Sequence, residues 1–267
     1  MRHIIPYSQL FENTQELTQE QKDWLDECTT GRWKLNPQTG LVDVDGDFDC
    51  VGQRLIDFKG VKFGMANNYF FCYSNQLTSL EGAPQQVGSD FDCHNNQLTS
   101  LEGAPQEVGA SFDCSDNSLT SLKGAPRTVS GSLYCSENSL TSLEGAPREI
   151  GGDFVCDSNQ LTTLKGAPQK VEGDFYCQYN QLTSLEGAPW EVGGSINCFN
   201  NPITEWVIEG ILREMSNEGI TLEQAVERLW NEIPEEDRTY LAKHHPNLPP
   251  EEKREYEALE RHKKRLI

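Results

Sequence analysis

Residues 91–105 read FDCHNNQLTSLEGAP, and the chain says nearly the same thing four more times. Residues 112–126 read FDCSDNSLTSLKGAP, 133–147 LYCSENSLTSLEGAP, 154–168 FVCDSNQLTTLKGAP and 175–189 FYCQYNQLTSLEGAP. The period is 21 residues. Self-similarity of this kind marks a solenoid, because one unit cannot bury its apolar face alone and stacked units can. Cys72, Cys93, Cys114, Cys135, Cys156, Cys177 and Cys198 keep the spacing, and Cys50 stands 22 residues before Cys72, so the first unit carries one insertion. Eight rungs are expected over residues 44–203.

Each unit can be read physically. Phe91 and Cys93 alternate with Asp90, Asp92 and His94, the pattern of a short strand with one face inward. Cysteine at the same place in every rung is a small buried hydrophobe. An odd total of nine, with no CxxC pair, argues against a disulfide framework or a zinc site and for a reducing, cytoplasmic compartment. An asparagine follows each of the later cysteines by three residues: Asn75, Asn96, Asn117, Asn138, Asn159, Asn180 and Asn201. Its amide is expected to bond the backbone of its own turn and of the next one. Leu98 and Leu101 fill the core, Gly103 and Pro105 shape the return, and Val108 closes the coil. With strands about 4.8 Å apart, eight rungs make a parallel sheet of about 35–40 Å.

The flanks differ. Thr18 with Gln21 has the form of a capping box, opening a helix to about Cys28 with Trp24 and Leu25 inward. Trp33 and Leu35, then Val42, Val44, Phe48 and Cys50, alternate as a hairpin. Residues 1–43, with Phe11 and Leu17 packed on, would cap the first rung. Past Ile203 the period changes. Trp206, Val207, Ile211, Leu212 and Met215 fit one helix, and Thr221 and Gln224 open another. Residues 204–267 are therefore expected to form a helical region against the last rung, ending in a charged helix from Glu251 to Leu266.

The register V-x-x-x-F-x-C-x-x-N-x-L-x-x-L resembles a leucine-rich repeat in which Cys and Phe replace two strand leucines. The unit length and the NQLTSL…P stretch resemble the short type found in bacterial effector proteins. LTSLEGAP with a cysteine ladder is similar to repeats in proteins encoded by bacteriophages and some bacteria. The segment TQEQKDWLDECTTGRWKLNPQTGLVDVDGDFDC (residues 18–50) resembles the N-terminal segment of those proteins. The resemblance covers residues 18–203. It implies an α/β solenoid: a right-handed coil with a parallel β-sheet on its concave face, the usual binding surface of such repeats. Glu-Gly-Ala-Pro or Lys-Gly-Ala-Pro stands here where the effectors carry prolines and leucines.

The formal net charge is −20, of which residues 204–267 supply −5 and residues 1–203 supply −15. That balance repels nucleic acids and anionic lipid and favours basic partners. No stretch approaches the 18 apolar residues of a membrane span, and the first residues lack a secretory apolar core. The outward strand positions can be written down as three columns. Between the buried residue and its Cys stand Asp49, Phe71, Asp92, Asp113, Tyr134, Val155, Tyr176 and Asn197. Before that buried residue stand Asp47, Tyr69, Asp90, Ser111, Ser132, Asp153, Asp174 and Ser195. After Cys stand Val51, Tyr73, His94, Ser115, Ser136, Asp157, Gln178 and Phe199. These columns hold eight Asp and no Lys or Arg, while Lys123, Arg127, Arg148, Lys165 and Lys170 fall on the return side.

An acidic, aromatic face suits a basic protein surface, Asp supplying steering and Tyr anchoring area. The expected binding residues are Asp49, Phe71, Tyr73, Asp90, Asp92, His94, Asp113, Tyr134, Asp153, Asp157, Asp174 and Tyr176. The competing reading makes the Asp residues turn formers with no partner. The expected function is a non-enzymatic protein-binding module for a partner with a basic surface. It would need no cofactor, metal, direct nucleic-acid contact or membrane. If the phage resemblance holds, the target is a host factor, and mimicry of nucleic acid is a special case. The alternatives are an effector or toxin acting through the C-terminal helices, or a structural or virion component. Asp43, Asp45, Asp47 and Asp49 share a strand face rather than a loop, so calcium is not expected. Cys28 has no histidine placed beside it among His3, His94, His244, His245 and His262. The last 64 residues contain no cysteine, which removes the nucleophile of the ubiquitin-ligase domains that some effectors carry.

Overall fold

A computed structural model describes residues 16–203 of the chain. Phe11 and the helices expected over residues 204–267 lie outside the described residues. Helix α1 spans Gln19–Cys28 and opens on the capping box: Thr18 Oγ1 accepts the Gln21 N–H at 3.2 Å, and Gln21 Oε1 accepts the Thr18 N–H at 2.9 Å. Reciprocal satisfaction of two orphan donors is what starts a helix at this point. Trp24, Leu25 and Cys28 form its buried face, with the Trp24 ring edge-on to Phe48 at 5.4 Å. Strand β1 (Thr29–Leu35) then pairs antiparallel with β2 (Val42–Asp49), from Thr29 opposite Phe48 to Leu35 opposite Val42.

From β2 onward the fold is a parallel β-solenoid. The N-terminal half of β2 pairs with β3 (Phe63–Ala66), and its C-terminal end pairs with β4 (Phe70–Phe71). Each half begins a ladder. One runs Phe48, Phe70, Phe91, Phe112, Leu133, Phe154, Phe175, Ile196, every step parallel and in register. Its eight strands bound seven complete coils. The other runs from Ala66 through Val87, Val108, Val129, Ile150, Val171 and Val192. Val108, expected to close the coil before the next strand, does so from within a strand of this second ladder. From Gln86 to Val171 its strands are two residues long with one residue buried, too short for alternation to be seen in the sequence.

The core repeats with the chain. The Phe70, Phe91 and Phe112 rings stack at successive 5.6 Å centroid separations, as do Phe154 and Phe175 at 5.7 Å, with Leu133 interrupting the column. The ladder cysteines and the two leucines of each unit are buried beside them. Each thiol from Cys50 to Cys135 also donates weakly to a carbonyl of the following coil, as Cys135 Sγ does to Val155 O at 3.3 Å.

The asparagines close each coil. Asn159 Nδ2 donates to the carbonyls of Cys156 at 3.2 Å, Asp157 at 3.0 Å and Cys135 at 3.0 Å, and its Oδ1 accepts the Leu140 N–H at 2.9 Å. The bonds reach the preceding coil, not the next one as the sequence suggested, and the same pattern recurs from Asn75 to Asn201. They brace a strained point. The residue before each asparagine, from Ser74 to Asn200, has φ between 51° and 55°, including Glu137 and Tyr179. A left-handed conformation costs a non-glycine residue about 1–2 kcal/mol. Replacing Asn159 by alanine is expected to lower unfolding free energy by about 1–3 kcal/mol, since buried backbone groups lose their partner. Asn159→Asp should cost more at neutral pH, because an anion would face those carbonyl oxygens. Denaturant unfolding of the two variants checks this, and an unchanged midpoint would remove the ladder's role. Among the described residues no helix is long and apolar enough to cross a membrane.

Candidate protein-binding face

The middle column of outward positions is a single row of the Phe ladder. Asp49, Phe71, Asp92, Asp113, Tyr134, Val155, Tyr176 and Asn197 are register partners in that order. All point away from the Phe side of their strands. Asp49 is exposed and the rest are half-buried.

Several of the carboxylates have scaffold work. Asp90 Oδ1 accepts the Ser111 N–H at 2.8 Å, Ser111 Oγ accepts the Ser132 N–H at 3.3 Å, and Ser132 Oγ accepts the Asp153 N–H at 2.9 Å. Asp153 Oδ1 and Asp174 Oδ1 continue the series to Asp174 N–H at 2.8 Å and Ser195 N–H at 2.6 Å. From Ser111 to Ser195 the N–H at the backbone bend between the two ladders is taken by a short side chain in the preceding coil. Asp90, Asp153 and Asp174 therefore hold coils together, which the sequence reading did not foresee. Asp157 accepts from Ser136 Oγ at 2.5 Å and Ser158 Oγ at 2.9 Å. Tyr176 donates its hydroxyl to Asp174 Oδ2 at 2.9 Å, and that bond raises its phenol above the ordinary range, with burial adding to it.

The middle-row acids have a lighter duty. Asp49 Oδ1 accepts the Val51 N–H at 3.0 Å, Asp92 the His94 N–H at 3.0 Å and Asp113 the Ser115 N–H at 2.9 Å. Asn197 makes the same bond to Phe199 at 3.3 Å, so the turn needs the oxygen and not the charge. Burial pushes the Asp92 carboxyl above its usual range; the His94 N–H works against that, and the neighbouring Asp113 charge adds to it.

The first coils carry a continuous aromatic surface. Tyr69 and Phe71 stack at 4.8 Å and 5°, Phe71 meets Tyr73 at 6.0 Å, and Tyr73 stacks on His94 at 4.5 Å and 14°. Tyr69 belongs to this surface, 38% exposed, although it was not among the expected binding residues. Its place two residues before Phe71 was the available signal. Tyr134 and Tyr176 stand farther along the row and outside this stack.

Comparison of the chain with protein-family models, curated proteins and solved structures gives no match.

The three outward columns hold no Lys or Arg, while Arg32 and Lys34 of β1 stand opposite Asp45 and Asp43 on the outward side of the first hairpin. The lysine pairs among the described residues are Lys62–Glu81 at 3.7 Å, Lys123–Glu144 at 3.2 Å, Lys165–Glu186 at 2.9 Å, and Lys170 with Glu172 at 2.7 Å and Glu191 at 3.4 Å. None involves the three outward columns. The thiols offer no ready nucleophile. Burial raises the Cys28 thiol against the opposing effect of the Gln53 amide, which donates to its sulfur at 3.2 Å, and the ladder thiols are raised further by deeper burial. Thiol chemistry needs the thiolate.

Proposed function

We propose that the protein is a non-enzymatic binding module whose outward strand face captures a protein with a basic surface. The observation that carries this reading is the aromatic run Tyr69–Phe71–Tyr73–His94 set beside Asp49, Asp92 and Asp113, in three outward columns without Lys or Arg. Half-buried stacked rings supply contact area whose ordering cost is already met, and they attract lysine or arginine through their faces. The acids raise the association rate of a cationic partner. The leucine-rich-repeat resemblance supports the same reading, since the strand face is where such repeats bind. With a bacteriophage origin the partner is a host protein in the bacterial cytoplasm.

The test uses the full chain and two variant sets, with chelator present. One set is Asp49→Asn, Asp92→Asn and Asp113→Asn, which keeps the turn-forming oxygens as Asn197 does. The other is Tyr69→Ser with Tyr73→Ser. Binding to a lysine- and arginine-rich test protein is measured against an acidic control, alongside affinity capture from bacterial lysate. The wild type is expected to prefer the basic protein, more weakly as salt rises. Each variant set should weaken binding by about tenfold or more. Equal binding by wild type and both sets would sink the reading.

A further inference from the structure

Asp92, His94 and Asp113 bring one nitrogen and two carboxylate ligands together on that face. Asp92 and Asp113 are register partners on adjacent parallel strands, so their side chains leave the sheet side by side. His94 follows Asp92 by two residues and lies on the same side, its Nδ1 2.7 Å from Asp92 Oδ1. One ligand atom from each of the three residues lies within 4.8 Å of the others. The geometry points to a divalent first-row transition-metal site formed by these three side chains, independent of protein capture.

Three observations support it. The ligands are pre-oriented: the His94 ring is held flat against Tyr73 at 4.5 Å, and the His94 backbone N–H is fixed by Asp92 Oδ1 at 3.0 Å. Positioned ligands of this kind lower the ordering cost of binding an ion. The charge is unbalanced: two stacked carboxylates repel each other, and among the described residues the ion-pair partner of Asp92 is His94 itself. The three side chains are half-buried, so the ion would keep water on its open side. One imidazole with two carboxylates suits Mn²⁺ or Zn²⁺ better than Ca²⁺ or Mg²⁺, which favour all-oxygen sets. With ligand distances of about 2.0–2.2 Å, the ion takes the place of the hydrogen shared between His94 Nδ1 and Asp92; the ring then carries its hydrogen on Nε2, any displaced proton passes to water, and the pair opens slightly to admit the ion.

The experiment uses the full chain labelled for residue-resolved NMR. Mn²⁺ is added first, because it avoids thiols. Broadening is expected to centre on the amides of residues 92–94 and 113–115. Zn²⁺ should then shift the His94 ring signals and bind by calorimetry, while Mg²⁺ does neither. His94→Gln and Asp113→Asn should each weaken uptake at this centre by about tenfold or more. Unfolding midpoints verify that the variants remain folded, and the wild-type His94 signal is a readout that needs no variant. Broadening centred elsewhere, a His94 ring indifferent to Zn²⁺, or uptake unchanged in folded His94→Gln would overturn the site.

Discussion

Raising the pH from 7.5 to 9.5 is expected to collapse the stability of the array. The seven ladder thiols from Cys50 to Cys177 are held above the ordinary cysteine value, in each case chiefly by burial. At pH 7 the thiols are protonated in both folded and unfolded chains, so nothing is lost. Above about pH 8.5 the unfolded chain releases those protons and the folded one does not. The contribution is thus fully present below the unfolded value and falls as pH rises, by about 1.4 kcal/mol per pH unit for each thiol. Seven together approach about 10 kcal/mol per unit once the unfolded thiols are mostly ionised, comparable with a typical domain's whole stability. Urea unfolding at a series of pH values measures the slope. Cys135→Ala should reduce it by one thiol's share. A midpoint that stays flat across this range would show that the thiols can ionise in place, contrary to the burial of the ladder.

Replacing Phe112 by alanine is expected to cost about 3–5 kcal/mol. The ring is fully buried, stacked on Phe91 at 5.6 Å and 11°, and its other neighbour in the column is Leu133. Truncation removes the burial and the stack and opens a cavity between coils whose backbones cannot approach further, because their strands are hydrogen-bonded. Phe112→Leu should cost far less, since Leu133 already shows that the column accommodates leucine. The alanine variant should also separate unfolding into two steps. Each coil touches only its neighbours, so a weak central interface uncouples the coils on either side. Denaturant melts with ring-specific probes at each end measure both effects. Equal destabilisation by Ala and Leu, or a single unchanged transition, would contradict the packing.

The parts of this structure that were legible in the sequence are those that repetition amplifies. One Cys and one Asn per 21 residues announced a coil and its buried ladder, and Thr18 with Gln21 announced α1. The strand through Glu107 and Val108 was illegible because a two-residue strand has no period. The scaffold role of Asp90, Asp153 and Asp174 was hidden for another reason. It depends on which backbone N–H of the following coil is left over at the bend, a fact of stacking and not of local pattern. The outward row itself could be written down in advance, since alternation and a constant period decide it. The grouping of Asp92 with His94 and Asp113 follows from that row only after the register is known.

The constant register also bears on inheritance. From Cys72 onward each coil offers nearly the same carbonyls, asparagine bonds and apolar plug to the coil on either side. In-frame gain or loss of one 21-residue unit therefore leaves each remaining junction of a familiar kind. Substitution in the outward row leaves the Phe, Cys and Asn columns untouched. Such a lineage can adjust the length of its surface by recombination and the chemistry of that surface by point mutation, and the two kinds of change scarcely interfere.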